Sequence, residues 1–377
     1  MNHALLDLLG QEKNDAGERF AAYGDLKRVE AWRWTPLDAL KAARKAAHAD
    51  YQLDLPESVD EGLQEDAAVR ARWLALADAP FAWLNFALLD EALTLTVPKG
   101  AQPEEPLALN IDAARRTLQC SRIHVVVEEG AKAALWFDFR SSSQAAQWPV
   151  ITLDVADNAE LQGVLWFGGE EGTAQLAHVF CTLGTESRAR LNAVLHGGTL
   201  ARLDLEAHLT GEQGDFSFGG LQTLEGAQVG DCHVVVRHLT ENGTSHQVLR
   251  GALAGQSKGI FDGLIYVAHG AQLTDAQQDS RYMLMSNEAT SHSVPRLEIY
   301  ADDVKCAHGS TVGFLDPEAL FYLRSRGVSE EAARKMLTLS FLHEAVVVDH
   351  DALHDALHDA ISALWMKEES DDHESVA

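Results

Sequence analysis

Three stretches of this sequence recur at nearly one offset, and that repetition limits the possible folds more than any other feature. Phe218-Gly-Gly-Leu-Gln-Thr-Leu-Glu-Gly-Ala-Gln-Val229 aligns, with one inserted residue, to Phe261-Asp-Gly-Leu-Ile-Tyr-Val-Ala-His-Gly-Ala-Gln-Leu273. Upstream, Leu205, Leu209 and Gly211 match Leu249, Leu253 and Gly255 at an offset of 44 (249 minus 205). Thr244-Ser-His-Gln-Val248 recurs as Thr290-Ser-His-Ser-Val294 at an offset of 46 (290 minus 244). A unit of this size, made of short apolar runs without a helix, cannot bury its own apolar face and must stack on its neighbours. The reading is a parallel β-helix in which each repeat supplies two coils of roughly 22 residues. Gly226-Ala227 and Gly270-Ala271 suit tight corners, where a bulkier side chain would clash. A propeller has a similar repeat length, but its closing signatures are missing.

The flanks read differently. Residues 1 to about 105 are rich in Ala, Leu, Asp and Glu, and Pro36 to His48 shows helical spacing through Leu37, Leu40, Ala43 and Ala47, which predicts a mainly helical N-terminal unit. Pro98, Gly100, Pro103 and Pro106 interrupt any periodicity and mark a boundary. From Leu107 the runs Ile123 to Val127, Ala134 to Phe139 and Ile151 to Val155 are strands separated by turn residues. After Leu315, Asp316 caps a helix that starts with Pro317, Gly327 ends it, and Ser329 caps another before Glu330 and Glu331. Leu337, Phe341, Ala345 and Val348 continue an apolar stripe, and Glu368 to Ala377 reads as a disordered acidic tail. The expected division is thus 1–105 helical, 106–314 β-helix and 315–377 helical.

Formal net charge is -27, from 57 Asp and Glu against 30 Lys and Arg, which argues against binding nucleic acid or an anionic membrane. No basic, unbroken apolar leader opens the chain and no segment reads as membrane-spanning, so a cytoplasmic location is expected. Cys120, Cys181, Cys232 and Cys306 form no CxxC pair, and the first three read as small buried hydrophobes.

Chemical motifs are few. No GxxxxGK[ST] loop occurs, and Gly168-Gly169-Glu-Glu-Gly172 lacks the spacing and lysine of a phosphate cradle, so no unaided ATP hydrolysis is expected. HExxH and GxSxG are also missing. Val304, Cys306 and His308 alternate along an expected strand and so share a face, with thiol and imidazole about 7 Å apart, within reach of one iron. From spacing alone, a core cysteine beside a structural histidine is the favoured reading. His350, His354 and His358 recur every fourth residue, which can hold a metal or make a solvated polar face beside the stripe of Leu353, Leu357, Ile361 and Leu364. Asp302 and Asp303 could suggest a β-helix carbohydrate-active enzyme, but adjacent strand residues point to opposite faces. A plain interaction solenoid is a third reading.

The block from Asp262 to Gly313, which contains LEIYADDVKCAHG, and DPEALFYLRSRG ending at Gly327 resemble the SufB/SufD family of the SUF iron-sulfur cluster assembly scaffold, closer to its SufD branch. Glu30-Ala-Trp-Arg-Trp-Thr35 is similar to that branch's N-terminal tryptophan motif, while residues 36 to 190 match only in character. The resemblance implies a right-handed parallel β-helix between helical ends. It implies a non-catalytic scaffold subunit that pairs with a SufB-type subunit through the β-helix, or with itself when alone. It further implies that the C-terminal helices bind a SufC-type ATPase, which supplies the ATPase activity, with Tyr322, Arg324 and Arg326 in the docking segment. A transient iron-sulfur cluster at the SufB interface would use His308 of the KC-x-HG pattern, with Cys306 beside it. A reduced flavin is associated with such complexes, although the sequence carries no flavin motif.

Overall fold

The computed structural model describes residues 32, 35–36, 45–48, 51–65, 80–89 and 91–366. From Glu91 onward strands follow one another through short turns, and every second strand returns to the same sheet. One sheet runs through β4 (Glu91–Val97), β6 (Thr117–Val127), β8 (Ala146–Val155), β10 (Ala174–Leu183), β12 (Leu200–Leu209), β14 (Val229–His238), β16 (Lys258–Val267) and β18 (Thr290–Ile299). The other runs through β5 (Leu107–Ala113), β7 (Lys132–Ser141), β9 (Glu160–Gly169), β11 (Arg188–Gly197), β13 (Asp215–Leu224), β15 (Thr244–Leu253), β17 (Asp275–Leu284) and β19 (Lys305–Phe314). Neighbouring strands are parallel, so the chain is a parallel β-solenoid of about eight turns with helices at its ends.

The register corrects the expected coil length. Leu200, Val229 and Lys258 are successive partners, so one coil takes 29 residues (229 minus 200; 258 minus 229) and contains two strands, where roughly 22 residues per coil were expected. The offset of 44 links Leu205 on β12 to Leu249 on β15, three strands later, which is one and a half coils. The repeat compares a strand of one sheet with a strand of the other, because both alternate in the same phase between core and surface. Corner chemistry is likewise mixed. Gly226 does adopt a left-handed conformation (φ +54°), but Gly270 does not, and Leu273 (φ +60°) takes that conformation in its turn.

The core between the sheets is built from alternating apolar columns such as Leu135, Phe137 and Phe139 with Leu161, Leu165 and Phe167; Phe139 stacks on Phe167 at 5.1 Å. Cys181 and Cys232 lie in this core and Cys120 is buried outside it, as small hydrophobes should be. Burial pushes the Cys120 thiol up to about 12 and raises those of Cys181 and Cys232 well above the ordinary thiol range, which favours the protonated, unreactive form.

Within the described residues before 91 there are three short strands and one helix, α1 (Pro80–Leu88). Lys45–His48, read as helical by spacing, is strand β1 on β6; a parallel partner at Thr117 to Cys120 overrides local periodicity. β2 (Tyr51–Asp54) and β3 (Asp60–Glu65) close the two sheets antiparallel to β5 and β4. β4 pairs with β6, so the solenoid begins before the Pro and Gly cluster at 98–106. The remaining calls on residues 1–50, and the acidic tail at 368–377, lie outside the described residues. Of the tryptophan motif only Trp32 and Thr35 are described; with Phe81 of α1, Trp32 covers the outer face of the first sheet over Cys120 and Trp148.

Three helices follow the last coil: α2 (Pro317–Ser325), α3 (Glu330–His343) and α4 (Asp351–Met366). Asp316 and Ser329 cap as expected, accepting from the N–H groups of Glu318 and Ala332, and Gly327 (φ +90°) ends α2. Leu353, Leu357 and Ile361 of α4 pack on the outer face of the second sheet against Val164, Val194 and Leu221. α3 stops at His343, so Ala345 and Val348 lie in the connector rather than on a helical stripe. Two buried amides fix that connector. Asn192 donates to the carbonyls of Gly219 (3.0 Å) and Ala345 (2.7 Å) and accepts from the N–H groups of Val347 and Val348. Gln162 accepts from the N–H groups of Asp349 and His350.

Candidate functional site

The solenoid interior changes character toward its C-terminal end. On the second sheet the register sets Leu191, Phe218, Gln247, Gln278 and His308 in one inward column from β11 to β19. The neighbouring column ends with Leu249, Ser280 and Ser310. Apolar side chains thus give way to amides, hydroxyls and an imidazole. Gln278 donates to Gln247 Oε1 (2.8 Å), and Ser280 faces Ser293 of β18 at 2.7 Å.

β18 and β19 are the terminal strands of their sheets, and neither has a fully buried residue. Their outer edges have no partner among the described residues, so their peptide groups are available to another chain. Around this end Val294, Ile299, Val312 and Phe314 are exposed, Phe314 at 69%.

Cys306 and His308 follow Ala276 and Gln278, both buried, so the expected shared face is the continuation of the core. Cys306 is half-buried and packs with Val304 on a small cluster containing Ile265 and Ala276. Burial and the Asp275 carboxylate raise its thiol above the ordinary range, with a hydrogen bond from the Ala276 backbone acting the other way. His308 is exposed and has no hydrogen-bond partner among the described residues. Beside it in register, Gln278 Oε1 is a buried acceptor without a hydrogen-bond partner among the described residues. This amide was not foreseen; the inward spacing of Gln247 and Gln278 within the repeat was the available signal.

The remaining candidates disperse. On α2, Arg324 pairs with Glu330 (3.0 Å), Arg326 lies 5.2 Å from the Tyr322 ring, and the helix buries no residue. Phe321, 74% exposed beside Tyr322, was missed; two adjacent aromatics on a short polar helix are the sequence signal for it. His354 and His358 lie 6.5 Å apart on α4, and His358 stacks on His343 of α3 at 3.9 Å. His350 precedes the helix, its N–H held by Gln162. Among the described residues no three His, Cys, Asp or Glu side chains are placed to hold a metal ion. Asp302 and Asp303 occupy an exposed bend before β19. No described helix is long and apolar enough to cross a membrane.

With the geometry in place, comparison with known proteins decides the family. The profile described as SUF system FeS cluster assembly, SufBD core domain, matches residues 109–341, more than half of the chain. The chain belongs to the SufBD family. It is similar to the iron-sulfur cluster assembly protein SufD of Escherichia coli, 31% identical over 271 residues, covering 70% of this chain and 64% of the relative. A SufBD family protein of Synechocystis is 29% identical over 278 residues, covering 70% and 61%. A SufBD family protein of Mycobacterium tuberculosis is 26% identical over 333 residues, covering 85% and 83%. The chain therefore spans less than two thirds of the first two relatives. The SufBD core match contains every coil from β6 to β19, together with α2 and most of α3.

Proposed function

We infer that this chain is a non-catalytic scaffold subunit of a SUF complex, and that it presents the open C-terminal end of its solenoid to a SufB-type partner. The observation that carries this reading is the polar inward column ending in the exposed His308, on a strand whose outer edge is unpaired among the described residues. A second solenoid pairing there would continue both sheets and cover Val312 and Phe314. It would also enclose His308 and Cys306, making a polar chamber where an iron-sulfur cluster, the cargo of assembly, is held for a time. Neutral imidazole suits iron, and Gln278 Oε1 supplies the acceptor that would fix its tautomer. Cys306 is the lesser ligand, because its raised thiol must lose a proton first.

The exposed α2, with Phe321, Tyr322, Arg324 and Arg326, is the docking surface assigned to a SufC-type ATPase. Movement imposed on the C-terminal helices reaches the solenoid through the connector held by Asn192 and Gln162. The test is coexpression with SufB- and SufC-type partners. His308→Ala is expected to lower cluster yield while leaving the complex assembled, and unchanged yield would remove His308 from the site.

A further inference from the structure

The glycine pair Gly168-Gly169 lies at a cavity of about 900 Å³ remote from the solenoid end. Its floor is the outer face of the second sheet, where the register sets Asn110, Asp138 and Trp166 in one row and Asp112, Arg140, Gly168 and His196 in the next. Its wall is α4, through Ala360, Ala363 and Leu364. Trp136 and Trp166 stack at 6.0 Å with 24° between their planes, and His196 meets Trp166 edge-on at 4.8 Å. Gly168 makes room for this arrangement, since a Cβ there would lie 2.7 Å from His196 Nε2.

The polar lining has a definite sign. Asp138 is 5% exposed; its Oδ2 accepts from Arg140 Nε at 2.9 Å, while Oδ1 is buried without a hydrogen-bond partner among the described residues. Asp112 and Glu170 add two further carboxylates, and Arg140 is the one Lys or Arg among the described lining residues. A buried acceptor without a donor costs free energy that a ligand N–H would recover. Indole faces with a carboxylate favour flat cations, and the volume lies in the range of small-molecule pockets.

We propose that this cavity binds a small planar cation carrying N–H donors, of the guanidinium or amidinium class, stacked at the Trp136 and Trp166 pair and donating to Asp138 Oδ1. The site is independent of the cluster reading, because none of its residues belongs to the solenoid end. Benzamidine is the probe, with benzoate and benzyl alcohol as anionic and neutral counterparts, titrated by calorimetry into the full chain. Saturable benzamidine binding, at least ten-fold tighter than either counterpart and weakened at least ten-fold by Asp138→Asn, is the expected result. Absence of saturable binding at millimolar concentrations, equal binding of benzoate or benzyl alcohol, or unchanged affinity in a folded Asp138→Asn would each overturn it. Where Asp138→Asn fails to give a normal melting curve, Ala363→Trp decides. Filling the cavity from its α4 side should abolish benzamidine binding, and retained binding overturns the proposal.

Discussion

The guanidinium carbon of Arg202 lies 3.7 Å from the centre of the Trp32 ring, joining a residue of the N-terminal tryptophan motif to the outer face of the solenoid. Arg202 is 1% exposed and is held by Asp231 (2.8 Å), Asp204 (2.6 Å) and the Thr35 hydroxyl (2.8 Å), which itself donates to Asp231. Such a buried cation is tolerable only while its partners are intact. Asp231→Ala is expected to destabilise the chain by roughly 3–5 kcal/mol, because Arg202 keeps its charge with half its compensation gone. Urea unfolding of the two proteins measures this; a change below about 1 kcal/mol would mean that Asp204 alone suffices.

Acid should weaken the fold through two buried histidines before the carboxylates titrate. Burial lowers His178 to about 4, with Asp204 acting the other way, and burial alone lowers His238 to about 4. In the unfolded chain each titrates near 6.5. Between pH 6.5 and 4 the unfolded state binds more protons than the folded state, so stability is full above 6.5 and declines as pH falls. At pH 5 each contributes a loss of roughly 2 kcal/mol. Melting curves from pH 7 to 4.5 should fall accordingly, and His238→Asn should flatten the slope. An unchanged slope in that variant would mean that His238 is protonated in the folded chain.

Asn192→Ala should loosen the C-terminal helices selectively. The substitution leaves the N–H groups of Val347 and Val348 and the carbonyl of Ala345 without their side-chain partner, at a cost on the order of 3 kcal/mol. Hydrogen exchange should rise first over residues 345–366, with the strands still protected. Uniform acceleration across the solenoid would show that the connector is not a separate unit.

How much of this was legible in the sequence depends on which interactions are periodic. Inward alternation repeats along every strand, so the solenoid could be read from Leu205 and Leu249 without knowing their coil. The coil length was misjudged for the same reason, since the two sheets carry one pattern and a three-strand offset looks like a repeat unit. Asp316, Ser329 and Gly327 were readable because capping is local. Lys45–His48 was not, because its strand character comes from a partner about seventy residues away. The face shared by Cys306 and His308 followed from alternation. Their place at an open end depended on β19 being the last strand, and the acceptor on Gln278 depended on register, which spacing within one strand does not contain.

The exposure of His308 and the burial of Gln278 make their roles separable. Replacing His308 by Ala removes an exposed side chain from a terminal strand and should change the melting temperature of the isolated chain by less than a degree or two, equivalent to about 0.5 kcal/mol. Gln278→Met keeps volume and chain length and exchanges one unpaired buried acceptor, Gln278 Oε1, for another, Gln247 Oε1, with the loss of one hydrogen bond, so it should destabilise the chain by only about 1 kcal/mol. On the proposed role of His308, Gln278→Met should nonetheless lower cluster yield in coexpression, because the imidazole loses the acceptor that would fix its tautomer. Gln278→Glu, which keeps an acceptor at that position, should restore most of the yield. Full yield in Gln278→Met would separate Gln278 from the site while leaving His308 to its own test.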